Sequence, residues 1–178
     1  MKIPDILFIL DGDSRTDLSD NVQKRITEAA GIPQRQVRTI ELHRGDVPPC
    51  TGCFSCMTRH PGRCVFDRAL ARIVQQAADC PAVVFLAPVV FGTFSSTMKN
   101  VIDRGGLIIR NARTCRQIII GYGKDATDEE RSTFIDITAK HRGKAEAVHP
   151  HLVEHVEVSF ARSREDAEDM CKSLGNIA

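Results

Sequence analysis

The sequence has almost no charge of one sign in excess: 24 Lys and Arg stand against 23 Asp and Glu, a formal net charge of +1. That balance withholds the electrostatic footprint of a nucleic-acid or membrane-surface binder, so neither is expected as a partner. Long hydrophobic runs are also missing. The most apolar stretch, Ala82 to Phe91, is interrupted by Pro88 and is far short of the ~20 residues a membrane-spanning helix needs. Ile6 to Leu10 is apolar, but Asp5 and Asp11 flank it and no basic region with a cleavage site accompanies it. It does not read as a signal peptide, and a cytoplasmic location is expected. Neither GxGxxG nor GxxxxGK[ST] occurs, which disfavours dinucleotide-type and P-loop phosphate sites. Seven cysteines in 178 residues fall below the ~8–10% density of a disulfide scaffold, and the odd count favours thiols or metal ligands.

What is present is an ordinary globular composition, 42% hydrophobic and 26% charged. At roughly 150 residues per domain the length predicts one domain over residues 1–178. Apolar runs at Ile6 to Leu10, Val37 to Leu42, Ala82 to Ala87 and Gln117 to Gly121, with a more alternating fifth at Leu152 to Phe160, predict strands. The first, third and fourth are nearly continuous, the mark of parallel strands covered on both faces. Between them lie amphipathic stretches of helical length at Ser19 to Ala30, Asp67 to Ala78, Ser95 to Ile109, Thr127 to Arg142 and Ser163 to Leu174. Gly31 closes the first helix. Thr127 with Glu130, and Ser163 with Asp166, open two others. Five β-α units predict a three-layer α/β/α sandwich with a five-stranded parallel sheet in the order 2-1-3-4-5, whose ligands bind at the carboxyl ends of the strands.

Three loops at that edge carry candidate chemistry. After the first strand, Asp11-Gly12-Asp13-Ser14-Arg15-Thr16-Asp17-Leu18-Ser19 offers hydroxyls and backbone N–H groups to an anion such as a monophosphate, although Asp13 and Asp17 oppose one on charge. After the third, Pro88 to Asn100 holds Gly92, which permits close backbone approach, and Phe91 and Phe94, which offer flat apolar surface for a planar heterocycle. After the fourth comes Gly121-Tyr122-Gly123-Lys124, with the chain's only tyrosine.

Residues 44–64 form a loop longer than a usual connection. It holds four of the seven cysteines, Cys50, Cys53, Cys56 and Cys64. A C-x2-C-x2-C run with a fourth cysteine further on suits four-thiolate ligation of an iron–sulfur cluster. Zinc, which usually takes two separated C-x2-4-C arms, and unmetallated thiols are the other readings. Cys80, Cys115 and Cys171 read as small apolar core residues. His141, His149, His151 and His155 are too irregularly spaced to read as a ligand set.

Together, Ser14-Arg15-Thr16, the P-C-x-G-C-F-S-C segment with its later Gly-x-Cys, and Pro88-Val89-Val90-Phe91-Gly92 with Ser95, Ser96 and Lys99 to Arg104 resemble flavodoxin-like NAD(P)H-dependent FMN reductases. More narrowly they resemble the branch containing iron–sulfur flavoproteins. The resemblance spans roughly residues 3 to 125. It implies a flavodoxin-like fold binding one FMN, with Ser14, Arg15, Thr16 and Ser19 around the phosphate, Pro88, Val89, Val90, Phe91, Gly92 and Thr93 along the isoalloxazine ring, and Tyr122 and Gly123 on its other side. It further implies a [4Fe-4S] cluster on Cys50, Cys53, Cys56 and Cys64, and a homodimer or homotetramer. The expected activity is electron transfer from NAD(P)H or a redox carrier to a quinone, flavin or other small-molecule acceptor. An electron-transfer protein with cluster and flavin in series, and a non-enzymatic flavodoxin-like binding module, are the alternatives. The sequence departs from the family's pattern at Asp13, where a small residue is usual, at Ser14, where a proline often follows serine, and at Asp67-Arg68, where paired acids are usual.

Overall fold

In the computed structural model, residues 5–33, 36–61, 64–66, 70, 71, 73, 76, 77, 80–104, 115–148 and 153–174 are described. Five strands, β1 (Ile6–Asp11), β2 (Val37–Leu42), β3 (Ala82–Val90), β5 (Cys115–Tyr122) and β6 (Val153–Ala161), lie parallel in the order β2-β1-β3-β5-β6. A short sixth strand, β4 (Thr93–Phe94), pairs antiparallel with the end of β3. Counting the five parallel strands in chain order, this is the expected 2-1-3-4-5 sheet. The short hairpin strand is an addition to it.

Successive residues of the central strands point to opposite faces, and the nearly continuous apolar runs of β1, β3 and β5 feed both. Ile6, Phe8, Leu10, Val84, Leu86, Ile118 and Ile120 pack with Val22 and Ile26 of α1 (Asp17–Ala29) and Ala167 and Met170 of α5 (Arg164–Leu174). Leu7, Ile9, Val83, Phe85 and Ile119 pack on the opposite face with Met98, Val101 and Ile102 of α3 (Ser96–Asp103) and Phe134 of α4 (Asp128–Val148). Leu70, Ile73 and Ala77 join that second cluster. They and the other described residues of the stretch expected as helix at 67–78 are helical. Both faces of the sheet are thus dry, which is what the continuous runs required.

Several boundaries move, for local reasons. The cap of α1 is Thr16, with Ser19 inside the helix at N3. The Ser19 hydroxyl accepts from the Thr16 N–H at 2.9 Å, and the Thr16 hydroxyl accepts from the Ser19 N–H at 3.3 Å, a capping box closed by serine. Gly31, at φ 63°, follows the helix in the left-handed region, as a C′ glycine does. Pro88 does not stop β3. Pairing with β1 ends at Leu86, while Pro88 still pairs with Tyr122 of β5. Its carbonyl faces the other way, accepting from the Ser95 N–H at 3.2 Å. The missing N–H therefore falls where no strand needs a donor. Helix α3 ends at Asp103, earlier than the periodicity suggested, and residues 105–109 of the expected helix lie outside the described residues. Reciprocal bonds of Thr127 with Glu130, and of Ser163 with Asp166, cap α4 and α5 as expected.

Candidate functional site

The strand order reverses direction between β1 and β3, and the carboxyl ends of those two strands flank a cleft of about 670 Å³. In an open parallel sheet this switch point is where the two outgoing loops diverge and leave a crevice. The volume falls within the range of small-molecule and cofactor sites. The walls come from the β1 loop (Asp11, Asp13, Ser14), from Arg44 just past β2, from Val90, Phe91, Thr93 and Phe94 of the β3–β4 hairpin, and from Ser95, Ser96 and Thr97 at the start of α3.

Each wall has a local cause. A 3-10 turn, Gly12–Ser14, follows β1 and is closed by the Asp11 carboxylate, which accepts from the Asp13 N–H at 3.0 Å. The other Asp11 oxygen accepts from the Ser95 hydroxyl at 2.6 Å. That hydroxyl in turn accepts from the Met98 N–H as the cap of α3. A buried carboxylate, 2% exposed, therefore ties the β1 loop to the start of α3. Asp13 is tied as fully: one oxygen meets His43 Nδ1 at 2.8 Å and the other accepts from the Arg44 N–H at 2.7 Å. The hydrogen bond to His43 holds the Asp13 carboxyl below its usual range, and the same bond raises the His43 imidazole above its own. His43 sits over Gly12, where a Cβ would stand 2.7 Å from its ring. Asp13, one of the two acids that oppose an anion in the sequence, is thus engaged by partners, with His43 and Arg44 beside it.

The hairpin turn is unusual. Phe91 and Gly92 both have positive φ, 50° and 74°, the pattern of a type I′ two-residue turn. Glycine adopts that conformation freely, but phenylalanine is strained by it. Phe91 is also 90% exposed, and Val90 beside it is 45% exposed. The chain holds an aromatic side chain in solvent, on a strained backbone, at the mouth of the cleft.

Among the residues expected at the phosphate, Ser14 lines the cleft, whereas Arg15, Thr16 and Ser19 do not. Arg15 turns to Asp20, at 2.5 Å, and to Glu41. Thr16 and Ser19 are engaged in the capping box, and Ser19 is buried. Along the ring edge, Val90, Phe91 and Thr93 line the cleft, while Pro88, Val89 and Gly92 build the hairpin behind them. Tyr122 is buried, its hydroxyl donating to the Ser14 carbonyl at 2.9 Å. It braces the β1 loop from within, and burial pushes its phenol up to about 12. Gly123 is held by its N–H on the Ala161 carbonyl. Sequence reasoning missed Asp11, His43 and Arg44 as site residues. The signal available was position alone: Asp11 ends β1, and His43 follows the last residue of the neighbouring β2.

The four cysteines of the long loop share a second, smaller cavity of about 130 Å³, walled also by Phe54, Phe66 and Arg104. Cys50 and Cys53 are exposed, and Cys56 and Cys64 are partly buried against the core. The Ser55 N–H bonded to Cys53 lowers that thiol, helped by Thr51 and the Arg104 charge, while burial raises Cys56. The loop reaches α3 through Arg104, which donates to the Pro49 carbonyl at 2.8 Å and approaches Cys64 Sγ at 3.7 Å. Sharing a cavity is not the same as converging on one atom. Among the described residues no group of three or more His, Cys, Asp or Glu stands close enough to hold a metal ion. The four thiols as placed do not fit the four-thiolate ligand set that the resemblance implies. Cys80 is buried as a small core residue; the side chains of Cys115, Cys171 and the four histidines from His141 to His155 lie outside the described residues. No described helix is long and apolar enough to cross a membrane.

The model of the family described as NADPH-dependent FMN reductase matches residues 5–160. No curated protein matches the sequence. Among solved structures, an NAD(P)H:quinone oxidoreductase from Methanothermobacter marburgensis superposes with a TM-score of 0.63 at 10% identity, covering 96% of each chain. An oxidoreductase from Corynebacterium diphtheriae gives 0.59 at 12% identity, covering 99% of this chain and 96% of that one. An FMN-dependent NADH-azoreductase from Bacillus anthracis, solved with FMN, gives 0.55 at 15% identity, covering 97% and 100%. At these identities the likeness is one of fold.

Proposed function

The chain belongs to the NADPH-dependent FMN reductase family, and we propose that its cleft between the ends of β1 and β3 binds FMN and serves electron transfer from NAD(P)H to a small-molecule acceptor. The observation that carries this reading is the placement of the cleft at the switch point, with a hydroxyl-bearing turn on one wall and an apolar aromatic hairpin on the other. When bound, FMN would supply the chemistry, accepting a hydride from the nicotinamide and releasing two electrons to the acceptor.

The chain's own residues orient and solvate. Ser14 offers its hydroxyl to the phosphate, and the adjoining backbone of Arg15 and Thr16 leads to the start of α1. The positive charges of Arg44 and protonated His43 offset Asp13 and Asp11 there. Val90, Phe91 and Phe94 give the ring an apolar surface, and Thr93 gives it a hydroxyl. Ser19 and Tyr122 act one step back, holding the loop from inside the fold. Pro88, Val89, Gly92 and Gly123 fix the backbone that presents it. No protein nucleophile is assigned. Quinones and azo compounds, the acceptors named for the structural neighbours, are the first to test. A homodimer or homotetramer accompanies this reading, and Phe91 is the exposed surface that such a contact would cover.

The test is a titration of FMN and riboflavin against wild type and Ser14→Ala. A charge-assisted hydrogen bond is worth about 1.5–3 kcal/mol, so FMN affinity should fall roughly tenfold or more while riboflavin affinity holds. Equal loss for both ligands removes Ser14 from the phosphate. Failure of the wild type to bind either one overturns the reading.

A further inference from the structure

The cysteine cavity is not used by the flavin reading, and nothing in that reading explains why Cys53 and Cys56, three residues apart, share a cavity bordered by exposed aromatic side chains. We propose that Cys53 and Cys56 form a thiol–disulfide exchange site for a small apolar or aromatic disulfide, with Cys53 as the attacking sulfur and Cys56 as the resolving one. The geometry separates the two roles. Cys53 is exposed, on the cavity wall with Ser55 and Arg104. Cys56 lies in the short helix α2 (Ser55–Thr58), partly buried against the core. An attacking sulfur needs access to its partner, and a resolving sulfur needs only access to the attacker. The other two thiols are less suited: Cys64 is partly buried and so less open to an incoming disulfide than Cys53, and Cys50 is exposed with no burial to shelter it as a resolver.

The partner's class follows from the cavity. Its volume of about 130 Å³ admits the disulfide and a ring but not a folded surface, and Phe54 and Phe66, 65% and 67% exposed, make an apolar rim. Cys53 Sγ attacks one sulfur of R–S–S–R, its own thiol proton passing to water, and RS⁻ leaves. The Cys56 thiol then loses its proton and attacks Cys53 Sγ, expelling the second RS⁻. The protein dithiol is oxidised by two electrons to a Cys53–Cys56 disulfide, and the substrate disulfide is reduced by two to a pair of thiols. Cys53 precedes the left-handed Phe54 cap of α2 and Cys56 lies in its first turn, so the product disulfide requires the short 53–56 segment to bring the two Cα atoms within ~4.4–6.8 Å.

Reaction of the reduced, full-length protein with a substoichiometric amount of 4,4′-dithiodipyridine tests this, with and without bound FMN. Wild type should release two thiopyridones per reagent and retain no adduct, with the Cys53–Cys56 disulfide found by peptide mass spectrometry. Cys56→Ser should release one and keep a stable adduct on Cys53. Cys53→Ser should slow the first release by about tenfold, the advantage of the better-placed sulfur. Three results would overturn the proposal: first attack at Cys50 or Cys64, a Cys50–Cys53 disulfide as the product, or release of the second thiopyridone by Cys56→Ser. So would four irons per chain bound on anaerobic reconstitution with iron and sulfide and lost in Cys53→Ser, since a cluster would then occupy these thiols. Both variants change thiols on or near the surface, and thermal unfolding checks that each is folded.

Discussion

Replacing Tyr122, itself 3% exposed, by Phe removes one atom and joins the fold to the site, because the hydroxyl it deletes bonds the Ser14 carbonyl at 2.9 Å. A net hydrogen bond is worth about 0.5–1.5 kcal/mol, and at this chain length about 1 kcal/mol lowers Tm by ~2–4 °C. The variant should therefore unfold a few degrees lower at neutral pH and, because the Ser14 turn loses its brace, bind FMN more weakly. The pH dependence is the sharper part. The folded phenol is pushed up to about 12 from an ordinary value of 10.0. Below pH 10 both states keep the proton and the stability is fully present. Between pH 10 and 12 the unfolded chain ionises while the folded one does not, so wild type loses about 1.4 kcal/mol per pH unit from this group. The Phe variant has no such loss. Its deficit should close and the two stability curves cross near pH 11, as read by urea unfolding from pH 8 to 11. Parallel curves over that span would refute the assignment of Tyr122 as a buried, bonded phenol.

Gly121→Ala should destabilise by about 1–3 kcal/mol, since the added methyl would stand 2.6 Å from Phe134 and 2.8 Å from Phe160; thermal unfolding reads this, and an unchanged Tm would mean the two rings yield freely. Gly92→Ala, forced to keep φ 74° with Thr133 at 3.1 Å, should lose about 1–2 kcal/mol and weaken FMN and riboflavin equally, because it deforms the ring wall and leaves the phosphate turn alone. The Asp13–His43 pair should make FMN binding pH-dependent. His43 is raised by Asp13, so the imidazolium is present in full below pH ~6.5 and is lost as pH rises through its folded value. FMN affinity should fall across that rise in wild type and stay flat in His43→Gln, as measured by flavin fluorescence titration; the same slope in both proteins would remove His43 from the site.

The sheet was legible because Ile6 to Leu10 of β1, all of β3 and Ile118 to Ile120 of β5 are unbroken apolar runs, so strand type and parallel pairing followed from hydrophobicity. The ends were less so. Pro88 reads as a stop in a one-dimensional pattern and is not one, because only its partners reveal which side of the strand lacks a neighbour. The hairpin of β3 and β4 was hidden for a related reason: Phe91 has no propensity for positive φ, and tertiary context holds it there. At the site, the hydroxyl loop and the Val90 to Thr93 segment could be found by position after their strands. The functions of Thr16 and Ser19 could not be, because capping and phosphate binding ask for the same residue types at a helix start. His43 and Arg44 reach the cleft only because β2 lies beside β1, a juxtaposition that no local pattern contains. The cysteine spacing was plain to read, but spacing does not fix where four sulfurs point.

The central claim is that FMN occupies the crevice between the ends of β1 and β3, and a crystal structure of the chain grown with FMN tests it most directly. The account predicts the isoalloxazine in van der Waals contact with Val90, Phe91 or Phe94 and the phosphate within hydrogen-bond distance of Ser14. Flavin seated in the cysteine cavity, or on any surface away from the β1 turn and the β3–β4 hairpin, would contradict it.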